Sequence, residues 1–294
     1  MNYLGTGVAL VTPFNEDGSV DYVSMKKLIE HVISGGVEYL VAMGTTAEVA
    51  TLNPDEKEEL INFIVETNAG RLPIVLGLGG NNTAAIVNEI KSRDLSAFSA
   101  ILSVSPFYNK PTQEGIYAHY AAISEACPID IILYNVPGRT ASNIEVSTVV
   151  KLANNFDNIV AIKEAAGSLD QAMSLIKEKP EGFHIISGDD AQAMPITLLG
   201  GSGVISVLGQ GLPEDFSEMI RFALNKDVMS ANTIQFRVLD MVSLIFAEGN
   251  PAGVKALLKK RGICSEFVRL PLISASENLT SKIGLNYDSL YLYN

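Results

Sequence analysis

Short, almost wholly apolar runs alternate along the chain with longer stretches whose apolar residues recur every three to four positions. The runs are GVALVTPF (7–14), YLVAMGTT (39–46), PIVLGLGG (73–80), AILSVSPF (100–107), IDIILYNV (129–136), NIVAIKEA (158–165), FHIISGDD (183–190) and GVISVLG (203–209). Apolar on both faces, they read as parallel strands covered on both sides by helices. Between them the spacing predicts helices around Val23, Leu28 and Val32, from Pro54 through Ile64, and near 83–94, 113–126, 144–154, 168–179, 190–199 and 213–225. Asn53 is placed to cap the second of these, with Pro54 at its first position and Glu56 in an acidic first turn.

Eight such alternations within the first 225 residues predict an α/β fold, a closed (β/α)8 TIM barrel. An open doubly wound sheet is the runner-up. Its glycine fingerprint is missing, because LGLGGNN (76–82) lacks the GxGxxG spacing. Beyond residue 226 the strand pattern stops. MSANTIQFRVLDMVSLIF (229–246), NPAGVKALLKKRG (250–262) and ENLTSKIG (277–284) read as helices, the second with Pro251 at its start and Gly262 just past its end. The expected division is a catalytic barrel over 1–225 and a C-terminal helical domain over 226–294, packed on the barrel or on a neighbouring subunit.

Composition narrows the function classes. A net charge of −12 disfavours sequence-independent nucleic-acid binding, which needs clustered cations. Cys127 and Cys264 form no CxxC pair and suit a reducing compartment. His31, His119 and His184 lie in three separate segments, so no metal site is expected from them. No charged n-region precedes an apolar stretch, and no apolar run approaches the ~18 residues of a membrane span. The expectation is a cytoplasmic protein with no membrane partner.

In a (β/α)8 barrel, chemistry sits at the C-terminal ends of the strands. Those ends carry Thr45, Thr46 and Glu48 on the second run, Tyr108 after the fourth, Tyr134 and Arg139 on and after the fifth, Lys163 and Glu164 on the sixth, and Asp189 and Asp190 on the seventh. Alternation puts Ile159, Ala161 and Lys163 on one face of the sixth strand, with Lys163 pointing into the mouth. An amine in a largely apolar mouth is less readily protonated, hence nucleophilic, and can form a Schiff base with a carbonyl substrate. A 2-oxo acid also carries a carboxylate, which Thr45, Thr46 and their N–H groups can bind. Tyr134 can move a proton, and Arg139 can hold a second carboxylate. Asp189 and Asp190 read as caps of the following helix. Each residue alone has an ordinary reading as a turn cap, a rim aromatic or a surface cation. Their coincidence at strand ends carries the inference.

GTTAE (44–48), YNVPGRT (134–140) and IKEAAG (162–167) resemble the signatures of the 4-hydroxy-tetrahydrodipicolinate synthase family. That family belongs to the pyruvate-dependent class I aldolase superfamily, which also holds N-acetylneuraminate lyase. The resemblance runs through GTGVALVTPF, SGDD, GGSGVISV, EGNPAGVK and VRLPL. It implies a lyase of lysine and diaminopimelate biosynthesis that joins pyruvate to aspartate semialdehyde. Lys163 would carry the pyruvate Schiff base, with no other cofactor. Thr45 and Thr46, helped by the backbone near Gly188 and Ile205, would hold the pyruvate carboxylate. Tyr134, Thr46 and Tyr108 would relay protons, Tyr108 in the neighbouring subunit's site, and Arg139 would bind the semialdehyde carboxylate. It further implies a cytoplasmic homotetramer, a dimer of tight dimers. Sialic acid lyases resemble the chain at the lysine and tyrosine but lack such an arginine. Another pyruvate-dependent aldolase or lyase and a non-catalytic oxo-acid sensor are the alternatives.

Two departures from the family pattern stand out. Ala47 and Val49 replace the glycine and serine of GTTGES, so Ala47 would be strained if its φ were positive. Where lysine-inhibited members carry polar residues, this chain has Val49, Pro54, Lys57, Ala85 and Phe107, and only Asn81 keeps the pattern. Weak or absent feedback by lysine is the expectation.

Overall fold

The computed structural model describes residues 3–290 and Leu292. Among them, eight parallel strands close into a barrel in chain order: β1 (Gly5–Ala9), β2 (Tyr39–Ala42), β3 (Ile74–Gly77), β4 (Ala100–Val104), β5 (Asp130–Asn135), β6 (Ile159–Glu164), β7 (His184–Ser187) and β8 (Gly203–Ser206). Between and after them come α1 (Tyr22–Ser34), α2 (Pro54–Asn68), α3 (Thr83–Ser92), α4 (Gln113–Ala126), α5 (Pro137–Thr140), α6 (Val146–Asn155), α7 (Leu169–Glu178), α8 (Ala193–Leu199) and α9 (Pro213–Leu224). This is the TIM barrel that the alternation predicts. The helix ends follow local chemistry. Asn53 and Glu56 exchange hydrogen bonds across the first turn of α2, a complete capping box with Pro54 inside it.

The strands divide their side chains between two apolar clusters. Inside the barrel lie Val41, Val75, Leu102, Ile132, Ala161 and Ile186, among others. The alternate residues, such as Leu40, Ile101, Leu133 and Ile162, pack outward against the helices. At the bottom, Gly7 leaves room for the Tyr39 ring, and Tyr3 stands edge-on to it, donating its hydroxyl to Asp130 at 2.8 Å. The interior is therefore filled at that end.

One expectation about β6 fails. Ile159 does not share a face with Ala161 and Lys163; it belongs to the outer cluster. The β5–β6 register steps from Ile131↔Ile159 to Ile132↔Ala161, so Val160 is an extra residue. This bulge places Val160 and Ala161 against the same interior.

The chain continues into α10 (Val228–Phe246), α11 (Ala252–Lys260) and α12 (Glu277–Ser289), the last five residues longer than the spacing predicts. The expected boundary at 225/226 falls in the turn between α9 and α10, and α10 packs on α8 and α9. Residues 1, 2, 291, 293 and 294, at the ends of the two expected segments, lie outside the described residues. Among the described residues no helix is long and apolar enough to cross a membrane.

Candidate active site

Lys163 is the next-to-last residue of β6 and only 5% exposed. It stands opposite Tyr134 in the β5–β6 ladder, and its Nζ lies 4.4 Å from the centre of the Tyr134 ring. Among the described residues Lys163 makes no ion pair. A Cβ built on Gly188 would come within 2.9 Å of the Lys163 Cε and 2.7 Å of the Ala165 Cβ. Gly188 thus makes room for the Lys163 side chain. Its N–H is spent on the Glu164 carbonyl at 2.7 Å, so the residue offers room there rather than a donor. Ile205, fully buried, joins Tyr134 in the interior cluster and forms part of the floor.

Glu164, the next residue, faces the helices. It accepts hydrogen bonds from Asn135 at 3.0 Å, Gln171 at 2.9 Å and the Ala166 N–H at 2.6 Å. Burial raises its pKa, and these donors work against that. Lys163 and Glu164 are therefore separated by the strand itself, one on each face.

Thr45 and Thr46 lie on a tight turn, Thr45–Ala47, that follows β2. Among the described residues their N–H groups donate to no acceptor. Thr45 is exposed and Thr46 buried. The Thr46 hydroxyl accepts from the Asn250 side chain at 2.9 Å. The left-handed residue of the turn is Glu48 (φ +54), not Ala47, so the expected strain at Ala47 does not arise. Glu48 is held there by an ion pair with Lys255 at 2.6 Å, both side chains enclosed, and by the Arg269 N–H at 2.9 Å. Lys255 also donates to the Phe267 carbonyl at 2.7 Å and sits 4.3 Å above the Phe14 ring. Burial lowers the pKa of Lys255, while the Glu48 carboxylate opposes the shift. Thr12 donates to the Ala47 carbonyl at 2.7 Å.

Arg139 projects from α5, directly after β5, and is exposed with no ion pair among the described residues. Tyr108 is 89% exposed, with φ +71, on the loop after β4. It is not packed into the interior cluster of its own chain. The two aspartates part company. Asp189 accepts from the N–H groups of Ala191 and Gln192 in the turn before α8, whose N-cap residue, Gln192, makes no side-chain capping bond, so the expected helix cap is not formed. Asp190, fully buried, instead accepts from the N–H groups of Val207 and Leu208 beyond β8.

Ladder register, contact and shared packing thus bring together Lys163, Tyr134, Gly188 and Ile205. Thr45, Thr46 and Arg139 stand on the loops above strand ends, and Tyr108 stands apart. Asn250, Lys255 and Thr12 escaped the sequence reading. EGNPAGVK carries the family resemblance and the signal of a helix start but no role for Asn250 or Lys255, and Thr12 stands near the end of the first run without any pattern to mark it.

The chain is similar to known proteins over nearly its whole length. A sequence model of the dihydrodipicolinate synthetase family matches residues 2–285. The 4-hydroxy-tetrahydrodipicolinate synthase of Flavobacterium psychrophilum is 56% identical over 283 residues, covering 96% of this chain and 97% of that protein. The synthase of Cytophaga hutchinsonii is 50% identical over 281 residues, covering 96% and 94%. Among solved structures, the chloride-inhibited dihydrodipicolinate synthase of Acinetobacter baumannii, complexed with pyruvate, superposes with a TM-score of 0.94 at 39% identity. It covers 98% of this chain and 99% of that one.

Proposed function

The chain belongs to the dihydrodipicolinate synthetase family, and from that premise we propose that it is a lyase joining pyruvate to L-aspartate-4-semialdehyde. The product is 4-hydroxy-tetrahydrodipicolinate, an intermediate of diaminopimelate and lysine biosynthesis. The observation that carries the reading is the enclosed amine of Lys163, without a carboxylate partner among the described residues and faced by the Tyr134 ring.

The Lys163 Nζ adds to the C2 carbonyl of pyruvate, and the carbinolamine loses water to give an iminium. Loss of a methyl proton yields the enamine, whose carbon attacks the aldehyde carbon of the second substrate and leaves a hydroxyl. The semialdehyde's own amine then adds to C2 and expels the Lys163 amine, closing the ring. One water leaves in the whole sequence, and no electrons are transferred, so the covalent link to Lys163 serves in place of any other cofactor. The open N–H groups of Thr45 and Thr46 bind the pyruvate carboxylate. Tyr134 and Thr46 move the protons. Arg139, with no ion pair among the described residues, takes the semialdehyde carboxylate.

Tyr108, exposed on its loop, completes the relay of a neighbouring copy in a homotetramer built as a dimer of dimers. The free, buried thiols of Cys127 and Cys264 fit a reducing cytoplasm. The test is consumption of pyruvate in the presence of aspartate semialdehyde, with wild type and Lys163→Ala side by side. Turnover by the wild type alone is expected. Turnover by both, or by neither, would overturn the reading.

A further inference from the structure

Asn250 stands between α10 and α11, far in sequence from every strand end, yet its side chain meets the threonine turn. It is 9% exposed, and its Nδ2 donates to the Thr46 hydroxyl at 2.9 Å. We propose that Asn250 is a positioning residue for the condensation, one that fixes the direction in which Thr46 offers its hydroxyl proton. The proposal rests on the reading of Thr46 as part of the proton relay.

A threonine hydroxyl has one hydrogen and two lone pairs. With the Asn250 amide oriented so that its N–H occupies one lone pair, the hydrogen points away from Asn250. Among the described residues nothing accepts it. The donated bond also polarises the hydroxyl and makes it a better donor. Two features separate this role from simple tethering of the turn. The turn is already held by the enclosed Glu48–Lys255 pair, by Arg269 N–H on Glu48 and by Thr12 on Ala47. Asn250 itself is rigidly placed, because α11 is packed on the end of α10 so tightly that a Cβ on Gly253 would lie 2.3 Å from the Ile245 carbonyl oxygen. What Asn250 alone supplies is the sense of one hydrogen bond.

The test compares Asn250→Ala, Asn250→Asp, Thr46→Val and the double variant Asn250→Ala/Thr46→Val with wild type. Aspartate keeps the shape but can only accept, which turns the Thr46 hydrogen toward residue 250. Three readouts are taken: kcat with both substrates, solvent exchange of the pyruvate methyl protons without aldehyde, and borohydride trapping of pyruvate on Lys163. The expected result is a loss in kcat and in exchange of about 10-fold or more in both Asn250 variants. The pyruvate KM should move less than about 3-fold, and the double variant should be no slower than Thr46→Val. Trapping should proceed as in wild type. Wild-type kcat in Asn250→Asp, multiplying losses in the double variant, or loss of trapping in both Asn250 variants would overturn the proposal, the last by making Asn250 merely structural. A wild type that exchanges methyl protons but does not use the semialdehyde would overturn the assigned second substrate and leave the Asn250 comparison to be read on exchange. A wild type that does neither would overturn both.

Discussion

The Lys163 amine lies over the face of the Tyr134 ring, 4.4 Å from its centre, across one rung of the β5–β6 ladder. The ring face packs against the amine, and in the proposed reading the hydroxyl handles protons, so the two contributions are separable. Tyr134→Phe keeps the face and removes the hydroxyl. We expect kcat to fall roughly 10²–10⁴-fold, the range of a lost acid–base group, while borohydride still traps pyruvate on Lys163. A variant within a few-fold of wild-type kcat would remove the Tyr134 hydroxyl from the relay.

Gly188 tests the space beside the amine. The methyl of Gly188→Ala would fall 2.9 Å from the Lys163 Cε and 2.7 Å from the Ala165 Cβ, inside van der Waals contact. The lysine would have to leave its rotamer. We expect slow or absent trapping of pyruvate, measured by mass spectrometry after borohydride, in a chain that keeps its helical circular dichroism. Trapping at the wild-type rate would show that the amine has more freedom than this packing allows.

The Glu48–Lys255 pair is enclosed on all sides, which makes removal of one partner costly. Glu48→Gln leaves an uncompensated ammonium beside the Phe14 ring and should destabilise the fold by about 3–5 kcal/mol in urea unfolding. Adding Lys255→Met should recover part of that loss, because no buried charge then remains. A Glu48→Gln chain as stable as wild type would mean that water reaches the pair.

Asp190 carries a pH signature. Burial raises its carboxyl from 3.8 to about 6. Below pH 6 the folded chain therefore takes up a proton that the unfolded chain binds only near 3.8. Its contribution to stability grows as the pH falls from 7 toward 4 and is lost as the pH rises through 6. In thermal unfolding, the stability gap between wild type and Asp190→Asn should move in favour of wild type between pH 7 and pH 5. A gap that does not change with pH would place the Asp190 titration elsewhere.

Lysine should inhibit weakly or not at all. Val49 and Phe107 cannot hydrogen-bond an amino acid, and Ala85 offers no partner to its ammonium. The amide of Asn81, the one matching polar position, is engaged with the Phe107 carbonyl at 3.0 Å. Initial rates with rising lysine should stay flat, and clear inhibition at submillimolar lysine would refute this.

The barrel was legible because hydrophobic periodicity is a local property, written within each strand and helix. Strand ends could then be searched for chemistry, which located Lys163 and Tyr134, and their pairing is visible once β5 and β6 are adjacent. The bulge at Val160 was not legible, since nothing in NIVAIK distinguishes an extra residue from a regular one. Nor were the supports of the threonine turn. Asn250 and Lys255 lie 204 and 207 positions from the residues they meet, and no local pattern reports so distant a contact. Their stretch reads as the start of a helix, which it also is.

The bulge has a bearing on how this chain can change length. Because β6 already absorbs one surplus residue near its lower end, that end can take up or shed a residue and still deliver Ala161 inward. Above it there is no such slack. One insertion or deletion between Ala161 and Glu164 would exchange the roles of the two faces, presenting Glu164 to the substrate and sending the amine among the helices. Natural or engineered length variation in this strand should therefore collect below Ala161 and be absent above it.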